Sequence, residues 1–419
     1  MGDIKSDKVK NAIRRLLGAT GMRAPRGREA AAARLIVEPR DADEIAEIIR
    51  QCEADKFTLV PIGAARTLSE IRSAPAALGL SLARMDRMVA YEPEDMTVIA
   101  EAGMTLGALN AHLEARGQRL PLDPPNPGVT TLGALLGAAQ AGPLRLSEGT
   151  PRDLLIGVRF VGHEGRAVHG GGRVVKNVAG YDLMKVMTGA FGTLGIITEA
   201  AFKLRPIPEG YTLGIAAFAR AADAFDATLR LHDTLPLLHA EVLSPELAAR
   251  FGQPGVFLIL VAIVGSASEL DYQRRHVDRL AGASFTDGAR AAEIYGQLRD
   301  VEFASAAMVA QLATAPAELG RCIENCAVEF RAHAACGAAQ IFASGKLDPL
   351  AARERLARWR AAARAASGHL RLLAAAPALR PHLEFFDQPS PGAFKLMRRL
   401  KATFDPVGIF NPGCFVGGL

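Results

Sequence analysis

Apolar positions along the chain alternate between two spacings. Short apolar runs bounded by glycine and proline at residues 34–37, 57–62, 96–101, 154–161 and 195–204 predict strands. Between the first two, Ile45, Ile48, Ile49 and Cys52 fall at i, i+3, i+4 and i+7, one face of a helix. Asp41, with Glu44 three residues on, reads as its capped start. Thr105 caps a second helix through Leu113, closed by Gly117. Residues 210–382 repeat the alternation with fewer glycines. Strands are predicted there at 213–218, 240–243, 256–264, 308–313 and 340–344, and helices at 316–330 and 350–366. The pattern is α+β, with helices expected on one face of the second sheet. Residues 1–29 read as a helical extension, and 383–419 as a tail punctuated by proline and glycine.

The chain has 419 residues, 49% hydrophobic and 22% charged, the mix of a globular chain of two or three domains. Its net charge of +5 does not point to nucleic acid. The densest basic run, Arg353, Arg355, Arg358, Arg360 and Arg364, is spread around a predicted helix, with Glu354 and Trp359 among it. That favours a solvated face. Five cysteines (Cys52, Cys322, Cys326, Cys336 and Cys414) are too widely spaced for a disulfide framework. Cys322 and Cys326 lack the C-x2-C-x2-C spacing of a ferredoxin cluster and are expected to be ordinary helix cysteines. No metal site is expected. No run approaches 18 apolar residues and the first 17 carry no leader pattern. The expected location is cytoplasmic, with peripheral attachment to the inner membrane through partner subunits left open.

Glycines recur where predicted strands meet turns. They lie in Pro61-Ile62-Gly63, in Thr131-Leu132-Gly133, at Gly170 to Gly172, in Gly180-Tyr181-Asp182, and in Gly189-Ala-Phe-Gly192-Thr193-Leu-Gly195. Without a Cβ the backbone can approach a ligand closely. Successive N–H groups can then hold a pyrophosphate. Neither a Gly-x-Gly-x-x-Gly after an N-terminal strand nor a Gly-x4-Gly-Lys-Ser/Thr loop is present, which disfavours a Rossmann site and an ATPase.

The block from Lys176 to Lys185, followed by Thr188 to Glu199, resembles the signature of flavoproteins of the vanillyl-alcohol oxidase / p-cresol methylhydroxylase type. With Leu82 to Asp86, Thr97 to Gly103 and Phe404 to Gly413, it is more closely similar to E-type, FAD-binding subunits of glycolate oxidases or dehydrogenases. The resemblance covers residues 30–209 and about the last fifteen, and is weak between. It implies a two-lobed FAD-binding domain over 30–209, a ferredoxin-like antiparallel-sheet cap over 210–382, and a tail, 383–419, that returns to the FAD domain.

The resemblance also implies site roles. Pro61, Ile62, Gly63, Ala64, Ala65, Arg66, Thr67 and Leu68 would form the pyrophosphate loop. Thr131, Leu132, Gly133 and Gly137 would lie along the diphosphate and ribityl chain. Gly180, Gly192, Thr193, Gly195, Ile196 and Ile197 would meet the isoalloxazine side or the adenine end, and Asn411 would lie near the ring system. Lys176 and Arg173 are the cationic candidates for polarising flavin or binding a carboxylate. Tyr181 and Asp182 divide between cofactor contact and a helix start favoured by the macrodipole.

Two departures bear on this. The first loop reads Gly63-Ala64-Ala65-Arg66-Thr67 where the family is richer in glycine, and Arg66 could compensate by a charge-assisted phosphate contact. The loop lacks the histidine that tethers flavin in some relatives, so non-covalent FAD is expected. The metal-binding Gly-His-x-Gly-Asp-Gly-Asn-x-His run of D-type relatives is also missing, and His333, His369 and His382 fall on separate predicted elements.

The implied activity is oxidation of glycolate, or of D-lactate, to the 2-oxo acid. The chain would serve as an electron-relay or structural flavin subunit beside a D-type flavin subunit and an iron–sulfur subunit. A stand-alone FAD-dependent 2-hydroxy-acid dehydrogenase and a flavin-free scaffold remain the other readings.

Overall fold

The computed structural model describes residues 3–63, 75–172, 181–301, 306–326 and 328–419, with side chains from residue 10 onward except residue 19. They divide into two units. One comprises residues 1–140, 150–206 and 388–419, the other 141–149 and 207–387.

The first unit begins from the capped helix that the sequence predicts. Asp41 accepts from the Glu44 N–H, starting the helix Ala42–Asp55, which closes at Lys56 with φ 55°. The Glu44 carboxylate turns back to the Arg40 N–H at 2.7 Å, one residue ahead of the expected capping-box partner. Ile45, Ile48, Ile49 and Cys52 are fully buried in the unit's core. Each such side chain contributes roughly 1.5–3 kcal/mol. Burial pushes the Cys52 thiol up to about 12, marking it as inert packing.

A four-stranded sheet runs in the order Met22–Arg23, Ala33–Val37, Ala76–Ser81, Leu59–Ile62. The last three strands are parallel. A five-stranded antiparallel sheet runs Met88–Glu92, Thr97–Glu101, Ile196–Lys203, Leu155–Val161, Ala167–Gly171. The tail returns along the edge of the first sheet: Leu59 N–H donates to Ile409 O and Asn411 N–H to Leu59 O, each at 2.8 Å.

Buried Asp405 fixes the tail. It accepts from the N–H groups of Gly408, Ile409 and Phe410 at 2.9–3.0 Å and from Lys401 Nζ at 2.6 Å. Lys401 Nζ also donates to Phe410 O at 2.9 Å and to Thr193 O at 2.8 Å. One ammonium therefore ties the helix Pro391–Phe404, the tail and the Gly192–Gly195 turn together.

The second unit is an eight-stranded antiparallel sheet. Its order is Ser284–Asp287, Tyr211–Phe218, Phe257–Val264, His239–Leu243, Glu329–His333, Ala338–Ser344, Ala306–Ala313, His369–Ala375. Ile259, Val261 and Ile263 join the core that includes the inward faces of helices Ala221–Thr234, Pro316–Cys326 and Pro349–Ala365. Leu258, Leu260 and Ala262 point the other way, with Ala291, Ile294 and Leu298 of helix Gly288–Arg299. Helices thus cover both faces, correcting the one-sided expectation. The strand Phe257–Val264 is apolar on both faces because both are buried.

The helix expected over 316–330 ends at Cys326. Residues 329–333 instead form a strand, because their period-two alternation puts Phe330 and Ala332 on the core side. Cys322 and Cys326 are free thiols on that helix. The basic run is also split. Arg353 and Arg360 donate to the carbonyls of His382, Glu384 and Phe386, clamping the chain after the last strand, while Arg358 faces solvent. Among the described residues, no helix is long and apolar enough to cross a membrane.

Candidate functional site

The first unit contains a cleft of about 1070 Å³, open solvent at its mouth included. Three of the pieces of chain that wall it carry its glycines. The end of strand Leu59–Ile62 supplies Pro61, Ile62 and Gly63; helix Leu132–Ala138 supplies Gly133, Ala134 and Gly137; the turn before strand Ile196–Lys203 supplies Phe191, Gly192 and Gly195, and Ile197 follows. Gly192 (φ 67°) and Gly195 (φ 149°) lie in the left-handed region that favours glycine.

Space makes the same demand. A Cβ on Gly192 would lie 2.2 Å from Pro61 Cγ, and one on Gly63 would lie 2.7 Å from Thr131 Oγ1. A Cβ on Gly137 would meet nothing within 4 Å and would project into the cleft. These walls are therefore bare backbone, a cradle that side chains would fill.

The expected site residues divide into five groups. Pro61, Ile62, Gly63, Thr131, Gly133, Gly137, Gly192, Gly195 and Ile197 come together around the cleft. Leu132, Thr193 and Ile196 lie beside it with buried side chains. Thr193 Oγ1 is spent on Ala190 O at 2.7 Å. Asn411 is fully buried behind the wall, and its Nδ2 donates to Phe191 O at 2.6 Å. Tyr181 is exposed, and Asp182 caps the short helix Leu183–Met187. Lys185, hydrogen-bonded to Asp182, holds that carboxyl below its usual range. Ala64, Ala65, Arg66, Thr67, Leu68, Arg173, Lys176 and Gly180 lie outside the described residues.

Several cleft residues went unforeseen, among them Leu82, Ala102, Asn126, Val129, Gln140, Met187 and Phe191. The Pro124-Pro125-Asn126-Pro127-Gly128 run was the available signal, since such clusters mark turns. Asn126 (φ 52°) and Phe191 (φ 53°) occupy left-handed backbone without being glycine. Phe191 is held there from both sides: its N–H donates to Gly137 O at 2.8 Å, and its carbonyl takes the Asn411 amide. Strain of this kind persists only where its surroundings overdetermine it.

The geometry suits a long ligand held by main chain. The described lining includes no charged side chain, so recognition falls to N–H groups, carbonyls, uncharged polar side chains such as Asn126, Thr130 and Gln140, and apolar contact. FAD, with an apolar ring system at one end and a diphosphate in the middle, fits such a cradle.

Residues 33–171 match a family model described as FAD binding domain, and residues 384–414 one described as FAD linked oxidases, C-terminal domain. The chain is 34% identical over 196 residues to D-lactate dehydrogenase (cytochrome), mitochondrial, of Arabidopsis thaliana, covering 46% of this chain and 34% of that one. It is 40% identical over 123 residues to glycolate oxidase subunit GlcE of Escherichia coli (strain K12), covering 29% and 35%. The matched stretch thus spans about a third of each relative's length. The fold is shared with p-cresol methylhydroxylase, at TM-score 0.73 and 15% identity over 98% of this chain and 97% of that one. The two matched segments are the two that the returning tail joins at Leu59; they are similar to an FAD binding domain and to the C-terminal domain of FAD linked oxidases, and the two-lobed α+β fold is that of p-cresol methylhydroxylase.

Proposed function

We propose that this chain is the FAD-binding subunit of a glycolate-type oxidoreductase, oxidising a small 2-hydroxy acid together with a second flavin subunit and an iron–sulfur subunit. The observation that carries the reading is the cleft walled by Gly63, Gly137 and Gly192, where added Cβ atoms would collide with the wall or enter the ligand's space. The likeness to glycolate oxidase subunit GlcE supports the substrate class and the subunit role.

Bound FAD would supply acceptance of two electrons from a carbon–hydrogen bond. The residues of the chain do the holding. Gly192 and Gly195 would present main chain to the cofactor, the Phe191 ring and Met187 would line its apolar part, and Val129, exposed at the lining, would shield it from water. Lys401 and Asn411 would keep the turn in place from behind. The lining and the adjoining segments 64–74 and 173–180 hold no histidine, cysteine or tyrosine, so the flavin is read as non-covalent.

The reading is tested by the visible spectrum and acid-released flavin of the purified full chain, followed by glycolate turnover with and without the partner subunits. One releasable FAD per chain, with turnover only in the complex, is expected. A colourless protein would reject the cofactor, and full turnover by the isolated chain would establish the stand-alone reading.

A further inference from the structure

The helix Pro391–Phe404 has two unlike sides. Phe394, Met397, Leu400, Lys401 and Phe404 are half-buried and share one side at helical spacing. Phe404 meets the Phe160 ring, centroids 6.2 Å apart, and Lys401 donates to Thr193 O at 2.8 Å, in the turn that walls the cleft. On the other side Lys395, Arg398, Arg399 and Ala402 fall at i, i+3, i+4 and i+7, and all four are exposed.

The charges of that stripe have no counterpart. From Gln388 to Phe404 the sequence carries four cations and no acid. The carboxylate that follows, Asp405, is buried and taken up by Lys401. Lys395, Arg398 and Arg399 make no ion pair among the described residues. On other helices exposed arginines take an acid one turn away: Arg50 pairs with Glu47, Arg275 with Asp271, Arg290 with Glu293 and Arg321 with Glu318. Here Lys395 meets Arg398 and Arg399 at those same spacings, and like charges so placed destabilise a helix. Leu396, three residues before Arg399 and flanking the stripe, is 57% exposed.

This composition suits a protein partner. Arginine is enriched where proteins meet, and its fork matches the two oxygens of a carboxylate. A helix that lies on a membrane sinks its apolar stripe into the lipid. In this helix the apolar stripe is turned toward the protein, and mainly the basic side is left for an occupant.

We infer that the exposed side of helix Pro391–Phe404 docks an acidic face of a partner subunit, with Lys395, Arg398 and Arg399 pairing its carboxylates and Leu396 seated among them. The inference rests on the heteromeric reading proposed above and names the surface that serves it. The docked subunit lies across the helix from the Thr193 turn, a separation of about one helix diameter, 10–12 Å.

The test is binding of the full FAD-loaded chain to the iron–sulfur subunit and to the second flavin subunit, each immobilised in turn. Affinity for one of them should fall at least about tenfold at about 1 M salt, where exposed charges are screened beyond about 3 Å. Arg398→Glu combined with Arg399→Glu should weaken it at least about a hundredfold, and Leu396→Ala about tenfold. Arg358→Glu, a charge reversal on a solvent-facing position of another helix, should leave it unchanged. Lys395→Glu separates docking from folding. It creates a Glu–Arg pair at i, i+4, so the melting temperature should hold or rise while association weakens about tenfold. FAD content should be the same in all variants. Association of the charge-reversed variants as tight as that of the unaltered chain would overturn the inference. So would binding of the chain alone to phosphatidylcholine vesicles containing phosphatidylglycerol, lost in Arg399→Glu, which would assign the surface to a membrane. Salt-sensitive self-association lost in Arg399→Glu would assign it to a second copy and overturn the inference equally. Failure of the unaltered chain to bind either subunit at low salt would instead defeat the heteromeric reading.

Discussion

The cleft of the first unit and the polar face of the second are built by opposite means. In the cleft, the shape falls to what side chains leave out: Gly63 and Gly192 let the walls pack backbone-close against Thr131 and Pro61, and Gly137 leaves open space before the main chain. On the polar face the order comes from what side chains bring in: Arg331, Gln340, Gln311 and Arg371 line up because four strands share one register. A large cofactor can be held by repeating backbone groups. The first device leaves a mark in local sequence, and the second exists only once the sheet has formed.

The strongest way to break the contrast is to put a side chain where the cleft has none. Gly137 has ordinary helical backbone and open space beyond its absent Cβ. Gly137→Phe should lower FAD affinity by at least about a thousandfold, some 4 kcal/mol. It should leave the melting temperature equal or slightly higher, since glycine within a helix costs about 0.5–1 kcal/mol relative to alanine. Fluorescence titration of apoprotein with FAD reads the first, and thermal unfolding the second. A Gly137→Phe protein that still retained flavin would place the cofactor elsewhere.

Asp405 asks whether a backbone cradle depends on side chains behind it. It accepts three N–H groups of the tail and the Lys401 ammonium. Asp405→Ala would leave these donors, one of them charged, without their acceptor. The expected loss is about 3 kcal/mol in urea unfolding, with weaker FAD binding as the Thr193 carbonyl loses its anchored Lys401. Asp405→Asn, which keeps an acceptor, should lose less. Equal stability of Asp405→Ala and the unaltered protein would show that the knot is decorative.

On the polar face, the corresponding lever is pH. Burial lowers His239 to about 4 and lowers His333 too, although Glu241 opposes the shift in both. Between about pH 6.5 and 4 the unfolded chain takes up protons that the folded one refuses. Stability is therefore complete above about 6.5 and is lost as pH falls toward 4. From pH 7 to pH 5 the loss should be about 2 kcal/mol by denaturant titration, and His239→Gln should flatten it. Carboxylates act lower. Burial pushes Glu101 up, but hydrogen bonds from Arg87 outweigh this and hold it below its usual range, so its contribution fades only below about 4.5. A stability curve flat from pH 7 to 5 would contradict burial of His239 as a neutral ring.

Much of the cleft was legible because chemistry forced glycine at Gly192 and Gly195. The helix Ala42–Asp55 was legible because Asp41 and the Ile45 to Cys52 stripe both announce it. Phe191 takes the same left-handed backbone without glycine, held there by hydrogen bonds to Gly137 and Asn411 that no local pattern encodes. The strand Glu329–His333 was absorbed into a preceding helix because five residues of alternation do not outweigh an adjoining helical run. The polar row was illegible for a deeper reason. Arg331 and Arg371 stand forty positions apart, and only the order of the intervening strands makes them members of one row.

The smallest effect sharpens the contrast most. Thr131 lines the cleft, and the family resemblance places it along the diphosphate and ribityl chain. In the structure its hydroxyl oxygen accepts from the Ala134 N–H at 3.2 Å and caps helix Leu132–Ala138. Thr131→Ala should therefore cost about 1 kcal/mol of stability, the usual worth of a cap, and Thr131→Ser almost nothing. FAD affinity should move by less than about threefold in both, well under the 1.4 kcal/mol that a tenfold change represents. A large loss of FAD affinity in Thr131→Ala, with stability intact, would mean that the cleft recruits side chains after all.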